Sequence, residues 1–232
     1  MGGNHVPTTR TVGIALVFLG AAIGSLLPVF LVLYPAAGIG QADATRPDVI
    51  LPAIARNPAL YVGPGILEMI GHAVGAAAVV GLWMRWGGRS FLMTCATLGG
   101  LVWMSVDTID NAIGLQLVPR FASSYVGGDI AAGATFLSTS ALLDALRLAG
   151  HFAGGLWIAG ISIHALRVGA AHRVVAWAGV LIGLVLAANP FVPALLNVSF
   201  LTLPAWLIVF GIAVGRADTS PEPAATPALA TS

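Results

Sequence analysis

The hydrophobic positions of this chain fall into six long apolar runs, separated by stretches that gather most of the polar residues. A run of about 20 apolar residues crosses the ~30 Å hydrocarbon layer at ~1.5 Å per residue, so each run predicts a membrane-spanning α-helix. The expected spans are 11–34, 62–86, 91–117, 140–166, 174–194 and 195–214. The expected fold class is therefore all-α: a polytopic six-helix bundle forming one transmembrane domain over residues 1–215. The first run is longer than the apolar core of a cleaved signal peptide and lacks a small-x-small exit. It reads as a span that stays, with Pro28 as a kink point. Residues 35–61 carry Asp43, Arg46, Asp48 and Arg56 among prolines, and read as a solvated loop with a short interfacial helix around 49–55. Residues 118–138, with Arg120, Asp129 and a Gly/Ser-rich stretch, read as a second long loop. Residues 216–232, rich in Pro, Ala and Thr, read as a disordered cytoplasmic tail.

Composition agrees with that pattern. Hydrophobic residues make up 58% of the chain and charged residues 8%, with a mean hydropathy of +0.94, whereas about a quarter of a soluble domain is charged. The chain is read as an integral, multi-pass protein of the cell (inner or plasma) membrane whose first partner is the lipid bilayer. A net charge of +1, scattered arginines and no lysine exclude nucleic acid as a partner. The single cysteine, Cys95, sits in an apolar run and reads as a small buried hydrophobe. One cysteine allows neither an intrachain disulfide nor a Cys-x-x-Cys motif.

Arginine placement orients the bundle. With six spans, Arg10, Arg85, Arg89, Arg167, Arg173 and Arg216 share one side, and the positive-inside rule makes that side, with both termini, cytoplasmic. Small-x-x-x-small spacings at Gly20/Gly24, Gly71/Gly75, Gly150/Gly154, Gly179/Gly183 and Gly211/Gly215 predict close helix packing. Those faces also suit a homo-oligomer or a larger membrane complex.

Two of these glycine pairs frame histidines. Glu68-Met-Ile-Gly-His72-Ala-Val-Gly75 and Arg147-Leu-Ala-Gly-His151-Phe-Ala-Gly154 each place an ionisable residue four positions before a histidine, one turn away on a helix. Whether the shared Gly-His-x-x-Gly core is an internal repeat or chance stays open in so glycine-rich a chain. Charged groups in a membrane cost about 2.5 to 3.5 kcal/mol each on insertion scales, which makes those present functional suspects. At ~1.5 Å per residue from the arginine end, His72 and His151 lie ~20 and ~24 Å deep, Glu68 and Asp107 ~26 to 27 Å, Arg147 ~30 Å, and Asp110 and Asp144 ~32 to 35 Å. Asp107, Asp110 and Asn111 share one helical stripe, and Asp144, Arg147 and His151 another. The expected site is an outward-facing polar pocket lined by Glu68, His72, Asp107, Asp110, Asn111, Asp144, Arg147 and His151. Plainer readings stand beside it: Glu68 and Arg147 as a structural ion pair, Asp110 and Asp144 as interfacial or helix-end groups, and His164 and His172 as surface histidines.

Three chemistries suit such a layer. Acids and histidines in a membrane build proton relays, which points to binding or transfer of a small solute or ion, with proton linkage. The alternative is a metal-dependent membrane hydrolase, with His72, His151, Glu68 and Asp107 as candidate ligands of a divalent metal. No His-Glu-x-x-His motif or Gly-x-Ser-x-Gly elbow is present, and no catalytic residue is assignable. A further alternative is electron transfer through one haem held by His72 and His151, the glycines leaving room for the porphyrin. A structural membrane subunit would also use the small-residue faces.

From Gly150-His-Phe-Ala-Gly-Gly-Leu-Trp-Ile-Ala-Gly160 through His164-Ala-Leu-Arg167 to Arg173-Val-Val-Ala-Trp-Ala-Gly179-Val-Leu-Ile-Gly183, the chain resembles an uncharacterised family of bacterial six-span membrane proteins. The resemblance covers about a quarter of the sequence. It implies a six-span fold and matches His151 to that family's histidine, and it brings no established activity.

Overall fold

The computed structural model describes residues 7–40, 43, 45–87 and 90–217. Among these the chain is all-helical. Arg89, and with it part of the expected tight turn, lies outside the described residues, as do residues 218–232 of the tail expected from 216, whose first residue, Arg216, ends the last helix instead. Helix α1 (Thr9–Ala36) starts at Thr8, whose hydroxyl accepts the Thr11 N–H at 3.1 Å. It is interrupted at Ser25, and a π-helical turn over Val29–Leu33 follows Pro28. Proline lacks an N–H and its ring crowds the carbonyl four residues back, so the ladder re-registers there. Helix α2 (Pro47–Arg56) opens on a proline at its first turn, with Asp48 at the positive end of its dipole and Arg56 at the negative end. Helix α3 (Ala59–Leu82) runs on into a π-helical turn, Trp83–Gly87. Helix α4 (Phe91–Val126) is capped by Ser90. Helix α5 (Ala131–Val168) ends at Gly169, whose φ of 68° lets the Ala170 N–H turn back to the Ala165 carbonyl at 3.1 Å. Helices α6 (Arg173–Ala188) and α7 (Leu195–Arg216) complete the chain.

Six of these helices close into an antiparallel ring in the order α1, α3, α4, α5, α6, α7 and back to α1. The pairings are set by glycines. Gly71 and Gly81 of α3 lie against Ala22 and Val12 of α1, and Gly13 and Gly20 of α1 against Gly211 and Pro204 of α7. Gly155 and Ala159 of α5 meet Gly183 of α6, while Trp206 of α7 donates its indole N–H to the Val175 carbonyl of α6 at 2.9 Å. Arg10, Arg85, Arg167, Arg173 and Arg216 consequently share one end of the ring. The ring interior is filled by Leu16, Leu19, Trp103, Met104, Trp157 and Phe210, all essentially without solvent access.

Among the described residues five helices are long and apolar enough to cross a membrane, and α6, with 16 residues, is a shorter apolar helix. This is the architecture of an integral membrane protein. Of the two stretches expected as loops, residues 118–138 are largely helical instead, while the short helix expected around 49–55 within residues 35–61 is present as α2. Residues 118–138 belong mostly to α4 and α5, because Val118, Ala122 and Phe136 recur on one face and bury against Ile50, Leu51 and Ile54 of α2. Gln116, Arg120, Ser123 and Ser124 on the other faces lower the average hydropathy and disguise the helix as a loop. The same contact makes α2 a packed cap over α4. Cys95 also departs from expectation: it is exposed on α4 rather than buried.

Close glycine contacts generate the first prediction. An added Cβ at Gly183 would stand 2.7 Å from the Gly155 carbonyl oxygen and 2.6 Å from the Ala159 nitrogen, both backbone atoms that cannot step aside. Gly183→Val is expected to destabilise the bundle by about 3 kcal/mol, at the upper end for overpacking. Gly63→Ala in α3, where nothing lies within 4 Å, should instead gain up to about 1 kcal/mol of helix propensity. Thermal unfolding in detergent measures both, and similar stabilities for the two variants would contradict the α5–α6 packing.

Candidate functional site

His72 reaches the interior because its flanking glycines admit neighbours: Gly71 lies against Ala22, and Gly75 against Met104 and Leu19. Across from it, Trp103 and Asp107 sit one turn apart on α4. The Trp103 indole N–H donates to Asp107 Oδ2 at 2.7 Å, and His72 Nε2 lies 3.4 Å from the same oxygen. The imidazole meets the indole edge-on, with ring centroids 6.2 Å apart. Gly150 and Gly154 of α5 make the space for this pair. An added Cβ at Gly150 would stand 2.6 Å from Asp107 Oδ1, and one at Gly154 would stand 2.5 Å from the indole ring.

One turn closer to α2, Asp110 Oδ2 accepts from Arg147 Nη2 at 2.7 Å, and Arg147 Nη1 lies 3.2 Å from Asp144 Oδ1. The expected Glu68–Arg147 ion pair is therefore not formed: the guanidinium turns to the two aspartates of α4 and α5. Glu68 is half-buried and lies within electrostatic reach of His72, Arg147, Asp107 and Asp110. His151 is half-buried within reach of Asp107, Arg147 and His72. Asn111 spends its amide on its own helix, donating to the Asp107 carbonyl at 2.9 Å. Asp110 is buried in mid-helix and so is not a helix-end group. Asp144 is exposed but likewise lies within α5 rather than at its end. Of the outlying histidines, His172 caps α6 and accepts the Val174 N–H at 3.3 Å, while His164 packs its ring on Trp86.

The three stripes thus meet in one layer, and Trp103 is the member that the sequence reading passed over. Its signal was its position four residues before Asp107 on an apolar helix, where a buried carboxylate needs a donor. Access to the layer is graded. The side chain of Asp144 is 67% exposed and that of Arg147 46%, whereas those of Asp110 and His72 are 4% and 1% exposed. Four carboxylates face one guanidinium, so the layer lacks positive charge when all are ionised. Four buried atoms here also have no hydrogen-bond partner: His72 Nδ1, Asp107 Oδ1, Asp110 Oδ1 and His151 Nδ1. Each such atom costs about 1–3 kcal/mol unless water or a ligand meets it.

Two chemistries fit this geometry poorly. Among the described residues no group of three His, Cys, Asp or Glu side chains is placed to hold a metal ion, so His72, His151, Glu68 and Asp107 do not converge as a ligand set. The space that a haem would need beside Gly150 and Gly154 is filled by Trp103 and Asp107. Comparison of the chain with protein-family models, with curated proteins and with solved structures finds no match.

The buried pair yields the second prediction. Arg147→Gln leaves Asp110 buried without its cation and is expected to cost about 3 kcal/mol, the low end for a buried pair because Arg147 is half exposed. Adding Asp110→Asn should restore most of that loss. Detergent unfolding of the two single variants and the double variant measures the coupling, and strictly additive losses would refute it.

Proposed function

We propose that the protein crosses the cell membrane six times, with both termini in the cytoplasm, and binds a small solute or ion at the layer between α3, α4 and α5. Supporting the sixth crossing, α6 packs antiparallel between two candidate spans; its ~24 Å needs only the turn over 189–194 to reach across. The family resemblance over residues 150–183 points the same way. Supporting the inward arginines, five of them gather at one end. On this topology α4 and α5, ~54 and ~57 Å long, project well beyond the hydrocarbon on the outer side, and the exposed Asp144–Arg147 flank of the layer opens toward it.

The observation that carries the reading is the set of four unpartnered buried polar atoms, on three helices at one level, in a site short of positive charge. A ligand that supplies donors and positive charge meets both needs: a protonated amine, a hydrated cation, or protons taken up by the histidines and carboxylates. Arg147 and Asp144 form the mouth, and Asp107 with His72 the floor. Below the floor, Trp103, Trp157 and Met104 close the ring toward the arginine end, so binding from outside is the primary event. Transfer would require those aromatic side chains to move.

The test uses Trp103 as its reporter. Small amines and monovalent cations are titrated onto purified protein while tryptophan emission is followed, with Trp103→Phe identifying the responding indole. A saturable response is expected for at least one solute, weakened about tenfold or more in Asp107→Asn, the size of one lost charge-assisted contact. A flat response across the panel, with no proton uptake by proteoliposomes under an imposed pH gradient, would leave the layer a structural one.

A further inference from the structure

A second polar feature lies apart from the ionisable layer. Between the end of α1, the end of α2 and the start of α3 is an open cavity of about 460 Å³, lined by Leu33, Ala36, Ala53 and Leu60. At its edge stand Arg56 and Asn57. The volume falls within the range of small-ligand sites. Phe30 stacks edge-on against Phe200 of α7, with centroids 5.6 Å apart, so the Leu33–Ala36 end of α1 stands level with the start of α7. On the six-span reading that is the outer boundary of the bilayer, and Leu31, Val32 and Leu33 there are exposed toward it.

Among the described residues Arg56 has no counter-charge at this boundary, and of its five N–H donors only Nε is engaged, with the Pro52 carbonyl at 3.2 Å. The two carboxylates of the same segment are committed elsewhere: Asp43 lies 3.3 Å and Asp48 2.8 Å from Arg46. The Arg46 hydrogen bond holds the Asp48 carboxyl below its ordinary range, so it stays ionised and paired. A cation at headgroup depth with two free Nη groups and no carboxylate beside it, opening onto an apolar cavity that faces lipid, suits an amphiphile of net negative headgroup charge, and at a bilayer boundary that is an anionic phospholipid.

We propose that this cavity is a binding site for an anionic phospholipid of the outer leaflet, its phosphate on Arg56 and Asn57 and one acyl chain along Leu33 and Leu60. The bound lipid joins α1, α2 and α3 at the point where the chain leaves the ring to form its cap. The site rests on the membrane topology alone and is independent of any ligand at the ionisable layer.

The test is made on the full chain, purified and delipidated in detergent, with phosphatidylglycerol, phosphatidylcholine or oleate added separately. Lipid retention by mass and the shift in unfolding temperature are both read. Phosphatidylglycerol is expected to bind and stabilise and phosphatidylcholine to do neither. Arg56→Gln should bind phosphatidylglycerol about tenfold more weakly, as for one charge-assisted contact. Arg120→Gln, which alters another outer arginine away from the cavity, should bind it normally. Ala36→Phe, which fills the cavity from an exposed position, should abolish retention without lowering the stability of the lipid-free protein. Equal effects of the two phospholipids, or an unaltered Arg56→Gln, would overturn the proposal. So would an Arg56-dependent response to oleate alone, which would assign the cavity to a free amphiphile. None of these readouts involves Asp107 or Trp103, so a failed solute titration leaves this result standing.

Discussion

A carboxylate buried between helices must be met by donors, and the centre of this bundle is arranged around meeting that need for Asp107. The indole N–H of Trp103 supplies one donor from the same helix and His72 approaches the same oxygen from α3. The indole and the carboxylate fit only because Gly150 and Gly154 strip α5 of side chains where the two press against it. The glycine pairs, the tryptophan and the histidine are therefore one device. A side chain at either glycine would push α5 off α4, and without the indole the carboxylate would lose its best donor.

Beyond that point the layer is only partly satisfied. Arg147 neutralises Asp110 and leans toward Asp144, which secures the flank that is most exposed. The four unmatched atoms lie deeper, around His72, Asp107, Asp110 and His151. A bundle under selection for stability alone would be expected to replace such groups with apolar residues of similar volume. Their presence at one level is the physical reason to propose the layer as a place where something binds.

The helical class and the polar layer were legible in the sequence because apolar runs and i, i+4 spacings follow directly from helix geometry. Glu68, His72, Asp107, Asp110, Asp144, Arg147 and His151 do lie near one another, as their depths along the helices suggested. The partners within the layer were not legible. Arg147 and Glu68 looked matched in sequence, but Asp110 lies closer across the α4–α5 contact, and only three-dimensional packing decides between two carboxylates at similar depth. Residues 118–138 look like a loop in sequence for a related reason. Their helices bury one face against α2, and a hydropathy average cannot see a partner 60 or more residues away. Cys95 shows the converse in a membrane, where an apolar run contains lipid-facing positions as well as buried ones.

Two ends of the bundle have opposite characters, and that contrast bears on mechanism. Toward the arginines the ring is filled by Trp157, Met104, Leu16 and Phe210 with no solvent access, and toward α2 it loosens into exposed Arg147 and Asp144. A carrier that exposes one site alternately to each side needs a barrier on both sides that can thin in turn. Here the barrier lies on one side, built of stacked and interlocked aromatic rings held by glycines that leave no slack. Moving it would mean separating α4 from α5 along their whole lower contact. Binding at the mouth needs no such separation, since the graded exposure from Asp144 down to Asp107 already provides the approach. The proposed ligand therefore exchanges first at the end that carries α2, and its effect on the protein would pass through Asp107 to Trp103, which joins the polar layer to the aromatic rings below it.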